Sequence, residues 1–156
     1  MTVRILFVCL GNICRSPLAE AAFRAEAARI GLDAEADSAG TGDWHRGQPP
    51  DRRAIAAARR NGADISGLRA RQVTGADFAR FDHVVALDED NLADLRRLRP
   101  AEARAELSLL LDHVPGREGQ PVADPYYGGD GHFDVAWSDS AEGARGLARA
   151  LKERAR

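Results

Sequence analysis

Cysteine is scarce in this 156-residue chain, which contains only Cys9 and Cys14. In a reducing compartment, two cysteines so close together favour a catalytic, redox or metal-binding role over a structural crosslink. A metal site would need further cysteine or histidine ligands, and the nearest histidine in the sequence is His45. The sequence therefore predicts chemistry by a cysteine side chain, with no metal and no cofactor.

Long hydrophobic runs are also missing. The apolar residues 5–10 form too short a segment for a signal-peptide core or a membrane span, so we expect a cytoplasmic protein without a membrane partner. Lysine is almost absent and arginine is abundant, yet the formal net charge of -2 does not favour nucleic acid as a partner. The length suits one domain over residues 1–156.

Strand-like and helix-like segments alternate along the chain. The apolar patterns predict strands at residues 3–8, 34–38, 83–87 and 107–114, and helices at residues 16–31, 51–61, 88–100 and 133–155. Ser16 is the expected N-cap of the first helix, with Pro17 at its first position. Gly143 and Gly146 weaken the last helix. This alternation predicts a parallel sheet covered on both faces, with ligands beyond the carboxyl ends of the strands.

The segment after the first strand has the pattern Cys-x5-Arg-Ser, formed by Cys9, Arg15, Ser16 and the five residues between them. Five residues can wrap around one tetrahedral anion with their backbone N–H groups pointing inward. The helix that follows adds its positive N-terminal end, and the guanidinium of Arg15 can bind two oxygens of the anion. We call residues 9–15 the anion loop; its expected contacts to the anion come from Leu10, Gly11, Asn12, Ile13 and Cys14.

The anion loop also suits a nucleophile. Inward N–H groups, a helix N-terminus and a guanidinium all stabilise a thiolate, so Cys9 can attack phosphorus and form a cysteinyl-phosphate. Ser16 can hydrogen-bond the sulfur when it leaves. A single cysteine at the end of a buried strand is usually a small core residue, but the arginine at the sixth position after Cys9 and the serine next to it favour catalysis. Cys14 either packs beneath the loop or acts as a redox partner.

The chain resembles the low-molecular-weight protein tyrosine phosphatases over almost its whole length. The resemblance rests on residues 3–17, residues 38–44, residues 69–72, Leu87 and Asp88 with Asn91, and residues 124–128, which read Asp-Pro-Tyr-Tyr-Gly. It implies a single three-layer α/β domain with a four-stranded parallel sheet, flanked by helices in a flavodoxin-like, doubly wound topology. It also implies a metal-free reaction in two steps through a phosphocysteine.

The resemblance assigns roles to particular residues. Cys9 is the nucleophile, Arg15 binds phosphate, and Asp124 is the general acid and then the base for water. Asn12, Ser16 and Ser38 correspond to polar residues that support the loop. Ile13, Trp44, Tyr126 and Tyr127 correspond to residues at the pocket mouth that receive the substrate ring. The four histidines are scattered, and none is assigned a role.

The chemistry of the leaving group agrees with the role of Asp124. A phenol has a pKa of about 10, so expelling an unprotonated phenolate at neutral pH is slow. A carboxylic acid on a loop can supply the proton, typically for a gain of about 10²–10⁴-fold. An Asp-Pro pair alone would indicate an ordinary turn, and the adjacent Tyr126 and Tyr127 favour the catalytic interpretation.

One position departs from the family pattern. The family commonly has a histidine three residues before the arginine of the Arg-Gln pair, where this chain has Leu68. In the family that histidine joins the polar network beneath the loop. We therefore expect Leu68 to pack there and Ser38 to find a different partner.

Three alternative functions remain open at this point. An arsenate reductase shares the fold but needs further cysteines as a relay, and this chain has none beyond Cys14. A protein-arginine phosphatase of the same family usually has threonine where this chain has Ile13, whose apolar side chain suits an aromatic ring better. A phosphate-binding module without activity would be expected to lack Cys9 or Asp124. The expected partners are phosphotyrosine-containing protein substrates and a tyrosine kinase, and the expected state is a monomer or weak dimer.

Overall fold

The computed structural model describes residues 1–155, arranged around one sheet of four parallel strands. The strands are β1 (Val3–Cys9), β2 (Ala34–Gly40), β3 (His83–Ala86) and β4 (Glu106–Leu109). The helices are α1 (Arg15–Ile30), α2 (Arg52–Arg60), α3 (Asp77–Arg80), α4 (Glu89–Leu98) and α5 (Asp130–Arg154), with a 3-10 helix at Leu110–His113. The predicted α/β fold with a four-stranded parallel sheet flanked by helices is confirmed.

The strand order is β2-β1-β3-β4, so the chain changes direction across the sheet at β1. This order matches the first four strands of the flavodoxin-like arrangement, in which ligands bind at the switch point beyond the carboxyl ends of the strands. Cys9 is the last residue of β1 and pairs with Gly40 at the end of β2. The topology therefore brings Cys9 to the crevice at the switch point.

The two faces of β1 contribute to two separate hydrophobic cores. Ile5 and Phe7 face the larger core, which α1 and α5 cover, while Leu6 and Val8 face the smaller core beside α4. All four side chains are fully buried. Successive strand residues point to opposite faces, so a strand covered on both sides reads as one continuous apolar run. That explains why β1 shows no alternation in the sequence.

The fourth predicted strand is shorter than the sequence suggested. Residues 107–114 were predicted as one strand, but β4 ends at Leu109 and a 3-10 helix follows. The carboxylate of Asp112 accepts hydrogen bonds from the backbone N–H of Leu109, at 3.0 Å, and of Gly119, at 2.8 Å. These bonds turn the backbone away from the sheet, and Leu110 and Leu111 are buried against the larger core instead.

The start of α1 also differs from the prediction. The helix begins at Arg15 with Cys14 in the N-cap position, and no side chain caps it. Ser16 is therefore not the cap, and its hydroxyl is used inside the anion loop. Within residues 1–155, no helix is both long enough and apolar enough to cross a bilayer.

Candidate active site

The anion loop connects the end of β1 to the first turn of α1. Asn12 has a φ of 58°, a left-handed conformation that asparagine tolerates better than most residues. Among the residues that the structure describes, the backbone N–H groups of residues 11–14 donate to no protein acceptor. Buried N–H groups are normally paired, so this run of free donors beside the positive end of α1 is suited to binding an anion.

Asn12 supports the loop from below. Its amide nitrogen donates to the hydroxyls of Ser16, at 2.9 Å, and Ser38, at 3.0 Å, and its amide oxygen accepts from the backbone N–H of Arg71, at 3.0 Å. The residue is 2 % exposed and does not line the pocket. The side chain of Asn12 therefore lies beneath the loop with Ser16 and Ser38, rather than against the substrate.

The polar network continues from Ser38 to Glu20, while Leu68 stands at the position where the family pattern has its histidine. The hydroxyl of Ser38 donates to a carboxylate oxygen of buried Glu20 at 2.7 Å, and the other oxygen pairs with Arg24 at 2.7 Å. Burial raises the pKa of Glu20, against the opposing effects of Ser38 and Arg24. Leu68 packs against the larger core. The expected new partner of Ser38 is thus Glu20, one turn along α1 from Ser16.

Arg15 lies at the floor of the site, with only 2 % of its side chain exposed. Its guanidinium donates to a carboxylate oxygen of Asp88 at 2.7 Å and to the carbonyl of Val122 at 2.9 Å, and it lies 3.6 Å from a carboxylate oxygen of Asp124. Burial alone would lower the pKa of Arg15, but Cys9, Asp88 and Asp124 more than offset it, so the pKa is raised and the guanidinium stays charged. Asp88 thereby fixes the orientation in which Arg15 meets an anion.

Cys9 is buried, and its sulfur lies 3.0 Å from the hydroxyl of Ser16. The backbone around it is held by β2 and the turn beyond it, because the N–H of Thr41 donates to the carbonyl of Cys9 at 2.9 Å. A Cβ on Gly40 would lie 2.7 Å from the carbonyl oxygen of Leu10. Glycine at position 40 is therefore needed for β2 to pack directly against the loop.

A pocket of about 320 Å³ opens over Cys9. Tyr126 is 37 % exposed, Trp44 67 % and Tyr127 97 %, and the two tyrosine rings meet edge to face with their centroids 5.1 Å apart. Apolar walls around a charged floor suit a flat, aromatic group that carries an anion. The pocket is lined by Cys9, Leu10, Gly11, Ile13, Cys14, Arg15, Trp44, His45, Asp124, Tyr126 and Tyr127.

His45 is a lining residue that the sequence did not indicate. Its ring covers Gly11, where a Cβ would lie 3.1 Å from the imidazole, and its centroid is 6.3 Å from that of Tyr126. The ring nitrogen Nδ1 lies 3.0 Å from the side-chain oxygen of Gln48. The only signal in the sequence was its position next to Trp44, because the contact with Gly11 depends on how the 40–50 segment folds over the loop.

Asp124 approaches the pocket from a segment that we call the aspartate loop, residues 123–129. Its carboxylate accepts from the backbone N–H of Tyr126 at 3.1 Å and is 43 % exposed. The pocket therefore holds a thiol, a guanidinium and a carboxyl group within reach of one anion. In the described part of the chain, no three His, Cys, Asp or Glu side chains are grouped as a metal site.

Comparisons with known proteins agree with this geometry. Residues 4–156 match the family model of the low molecular weight phosphotyrosine protein phosphatase. The chain is 43 % identical over 134 residues to a low molecular weight phosphotyrosine protein phosphatase of Schizosaccharomyces pombe, covering 84 % of this chain and 85 % of that one.

Two solved structures extend the comparison. The crystal structure of YfkJ from Bacillus subtilis superposes with a TM-score of 0.92 at 39 % identity, over 100 % of this chain and 98 % of that one. The structure of DARP, a Drosophila arginine phosphatase, superposes with a TM-score of 0.88 at 29 % identity, over 95 % and 97 % of the two chains. The match to the family model over nearly the whole length is decisive, and the chain belongs to the low molecular weight phosphotyrosine protein phosphatase family.

Proposed function

We propose that this protein hydrolyses phosphotyrosine in protein substrates, with Cys9 as nucleophile, Arg15 as phosphate ligand and Asp124 as general acid and base. The observation that carries the proposal is that all three side chains line one pocket whose remaining walls are aromatic and apolar. The substrate phosphoryl group would lie in the anion loop, and its phenol ring between Trp44 and Tyr126.

The reaction proceeds by two displacements at phosphorus. In the first, the thiolate of Cys9 forms a P–S bond as the P–O bond to the phenol breaks, and Asp124 gives its proton to the departing oxygen. In the second, water loses a proton to Asp124 and attacks phosphorus, and the P–S bond breaks. Ser16, whose hydroxyl lies 3.0 Å from the sulfur, stabilises the thiolate that leaves.

Arg15 stabilises the charge on the transferring phosphoryl group in both steps. Two parallel N–H···O bonds from a guanidinium match the oxygens of a phosphoryl group, and the buried site strengthens them. Its contacts with Asp88 and Val122 hold the guanidinium in place before the reaction begins, so little reorganisation is needed in the transition state.

The cellular setting is part of the proposal. Residues 1–156 act as a single phosphatase domain in the cytoplasm, as a monomer or weak dimer. Its partners are phosphotyrosine proteins, with a tyrosine kinase among them. Both cysteines of the described chain are unpaired, as is usual for thiols in a reducing compartment.

The test is turnover on matched phosphotyrosine, phosphoarginine and phosphoserine peptides by the parent and by Cys9→Ser. We expect phosphotyrosine to be the preferred substrate and Cys9→Ser to be inactive, because the serine hydroxyl is not ionised at neutral pH. The variant should keep its fold and its affinity for inorganic phosphate. More than trace activity in Cys9→Ser would remove Cys9 from the mechanism.

Arginine phosphatase is the second candidate, because DARP shares the fold at 29 % identity. Ile13 lines the pocket with 7 % of its surface exposed, and its apolar side chain favours a phenol ring over a guanidinium. We expect Ile13→Thr to shift the ratio of kcat/KM from phosphotyrosine toward phosphoarginine peptides. An unchanged ratio would show that position 13 does not set this preference.

A further inference from the structure

Arg53 of α2 does not line the pocket, yet its side chain joins the two loops that meet there. Its guanidinium donates to the carbonyl of Gly128, at 2.9 Å, and to the carbonyl of Tyr126, at 2.9 Å. Both acceptors lie in the aspartate loop, two and four residues after Asp124. One planar side chain therefore holds the backbone on the C-terminal side of the carboxyl group.

Other groups hold the two ends of the aspartate loop: the N–H of Val122, just before it, donates to the carbonyl of Leu87 at 2.8 Å, and the N–H of Gly129 donates to Nδ1 of His132 at 3.2 Å. Within the described chain, the other hydrogen bonds of residues 123–128 are internal: the N–H of Tyr126 donates to Asp124 at 3.1 Å, and the N–H of Gly128 donates to the carbonyl of Pro125 at 2.9 Å. The pair of Asp124 with Arg15, at 3.6 Å, is looser than a hydrogen bond. Between these two ends, the bonds from Arg53 are the hydrogen bonds that fasten the segment to the rest of the described chain.

Arg53 is itself anchored to the anion loop through Asp51. Both carboxylate oxygens of Asp51 accept from the guanidinium, at 3.0 and 2.9 Å. The backbone N–H of Asp51 donates to the carbonyl of Ile13 at 2.8 Å. The hydrogen bonds from Arg53 lower the pKa of Asp51, so the pair stays charged at neutral pH. A continuous path of hydrogen bonds therefore runs from the anion loop to the aspartate loop.

Two aromatic rings pack against the guanidinium of Arg53 and help to fix its orientation. Its central carbon lies 4.4 Å from the ring centroid of Phe133 and 5.7 Å from that of Tyr126. A guanidinium over an aromatic face is attracted by the negative face of the ring. Lysine could not reproduce this arrangement, because an ammonium has neither the planar fork nor the stacking surface.

We propose that Arg53 is the positioning residue for the general acid, setting the distance of the Asp124 carboxyl group from the oxygen that leaves phosphorus. This inference rests on the proposed function of Asp124. Proton transfer in the transition state tolerates little misplacement, since an error of about 1 Å can cost about 10²-fold. Cys9 and Arg15 are held by Ser16, Asp88 and Val122 without contact to Arg53, so the loss should fall on the step that needs the acid.

The test compares kcat/KM on aryl phosphates whose phenols differ in acidity, for the parent, Arg53→Gln and Arg53→Lys. We expect Arg53→Gln to lower kcat/KM about 10- to 100-fold for phenyl phosphate and far less for 4-nitrophenyl phosphate, which needs the proton less. Arg53→Lys should show the same pattern, and inhibition by inorganic phosphate should be unchanged in both. Full activity in Arg53→Lys, or an equal loss across the series, would overturn the proposal.

Arg52→Gln is the matched control, because Arg52 is an exposed neighbour on α2 and the change removes the same charge. It should behave like the parent. Arg53→Gln combined with Asp124→Asn completes the experiment: most of the loss from Arg53→Gln should vanish once the acid is absent, since contacts that act through one group are not additive. Additive losses would make Arg53 merely structural. No leaving-group dependence in Asp124→Asn alone would instead overturn the role of Asp124.

Discussion

Cys14 lines the same pocket as Cys9 and is 5 % exposed. Burial raises the pKa of its thiol, and the negative charges of Cys9, Asp51 and Asp124 raise it further against the opposing effect of Arg15. Cys14 is therefore a neutral thiol at physiological pH. Because thiolates and not thiols react with peroxide and with oxidised sulfur, Cys9 would be oxidised first and Cys14 would react slowly.

Peroxide should inactivate the enzyme reversibly through this pair. Cys9 becomes a sulfenic acid, the sulfur of Cys14 attacks it, and water leaves as a disulfide forms; dithiothreitol then restores the thiols. Because the pKa of Cys14 is raised, formation of the disulfide should become faster as the pH increases. The rate can be followed by mass spectrometry of peroxide-treated protein.

Cys14→Ser is the control for that prediction. It should keep its activity but be inactivated irreversibly, since nothing stops further oxidation of Cys9. If the variant recovers with dithiothreitol as fully as the parent, and no intramolecular disulfide is found, Cys14 is only a packing residue. Bound phosphate should protect the parent, because it fills the space in which the bond forms.

Among individual residues, the sequence predicted the site best where residues close together in the chain are also close together in space. Cys9, Arg15 and Ser16 lie within one loop and one helical turn, so their spacing predicted their meeting. The contacts of Glu20 with Ser38 and of His45 with Gly11 join residues far apart in the chain, so the local sequence did not reveal them. For Asn12, the family resemblance indicated support of the loop, and its side chain bonds Ser16 and Ser38 beneath the loop.

Among the helices, α5 shows how a glycine can serve packing rather than flexibility. The helix runs unbroken through Gly143 and Gly146, although the low helix propensity of glycine had weakened the prediction of a helix here. A Cβ on Gly143 would lie 2.4 Å from the side chain of Leu110, and one on Gly146 would lie 2.3 Å from the carbonyl oxygen of His113. The glycines therefore let α5 lie directly on the 3-10 helix, at the cost of helix propensity.

Gly146→Ala should destabilise the protein by about 1–3 kcal/mol, because the methyl group must push the backbone of His113 away. The gain in helix propensity, about 1 kcal/mol, offsets only part of the steric cost. Urea unfolding gives the comparison. The control is Gly131→Ala on the same helix, where a Cβ meets no atom within 4 Å and the change should be neutral or stabilising. A stable Gly146→Ala variant would contradict this account of the contact.

The predicted bounds of the elements were wrong mainly where a hydrogen bond to a side chain ends a strand that the apolar pattern would continue. The leucine run in residues 107–111 has the composition of a strand, and its first part is β4. The turn after Leu109 depends on the Asp112 carboxylate, a bond that hydrophobic periodicity does not report. The parallel sheet, by contrast, followed from the alternation of strands and helices, which the chain keeps except where both α2 and α3 lie between β2 and β3.

Over the whole molecule, α1 and α5 lie on the same face of the sheet, and buried Glu26 links them. Its carboxylate accepts from Arg29 of α1 at 2.8 Å and from Arg149 of α5 at 3.0 Å. Hydrogen bonds from Arg29, and to a lesser extent from Arg149, lower the pKa of Glu26 to about 2 against the opposing effect of burial. In the unfolded chain this pKa returns to an ordinary glutamate value, so the folded state binds this proton more weakly.

Stability should therefore depend on pH through Glu26. The contribution of a lowered carboxylate pKa is complete above the unfolded value of about 4.3 and is lost as the pH falls toward about 2. We expect Glu26→Gln to cost about 1–2 kcal/mol at pH 7, a value reduced because both arginines are largely exposed. Urea unfolding of parent and variant should show the difference shrinking between pH 4.3 and pH 2. A difference that does not vary with pH would assign the loss to packing.

The anion loop is held by hydrogen bonds between protein groups, from Asn12 and Ser16 to Ser38 and Glu20. A site that is already ordered recognises the phosphoryl group itself and pays little entropy on binding. It cannot tell the phosphoryl group of a substrate from the free phosphate that the reaction releases. Product inhibition is the consequence, because free phosphate in the cell would compete with the substrate for the anion loop. Only the contacts of the aromatic pocket mouth would give a phosphotyrosine protein a higher affinity than free phosphate.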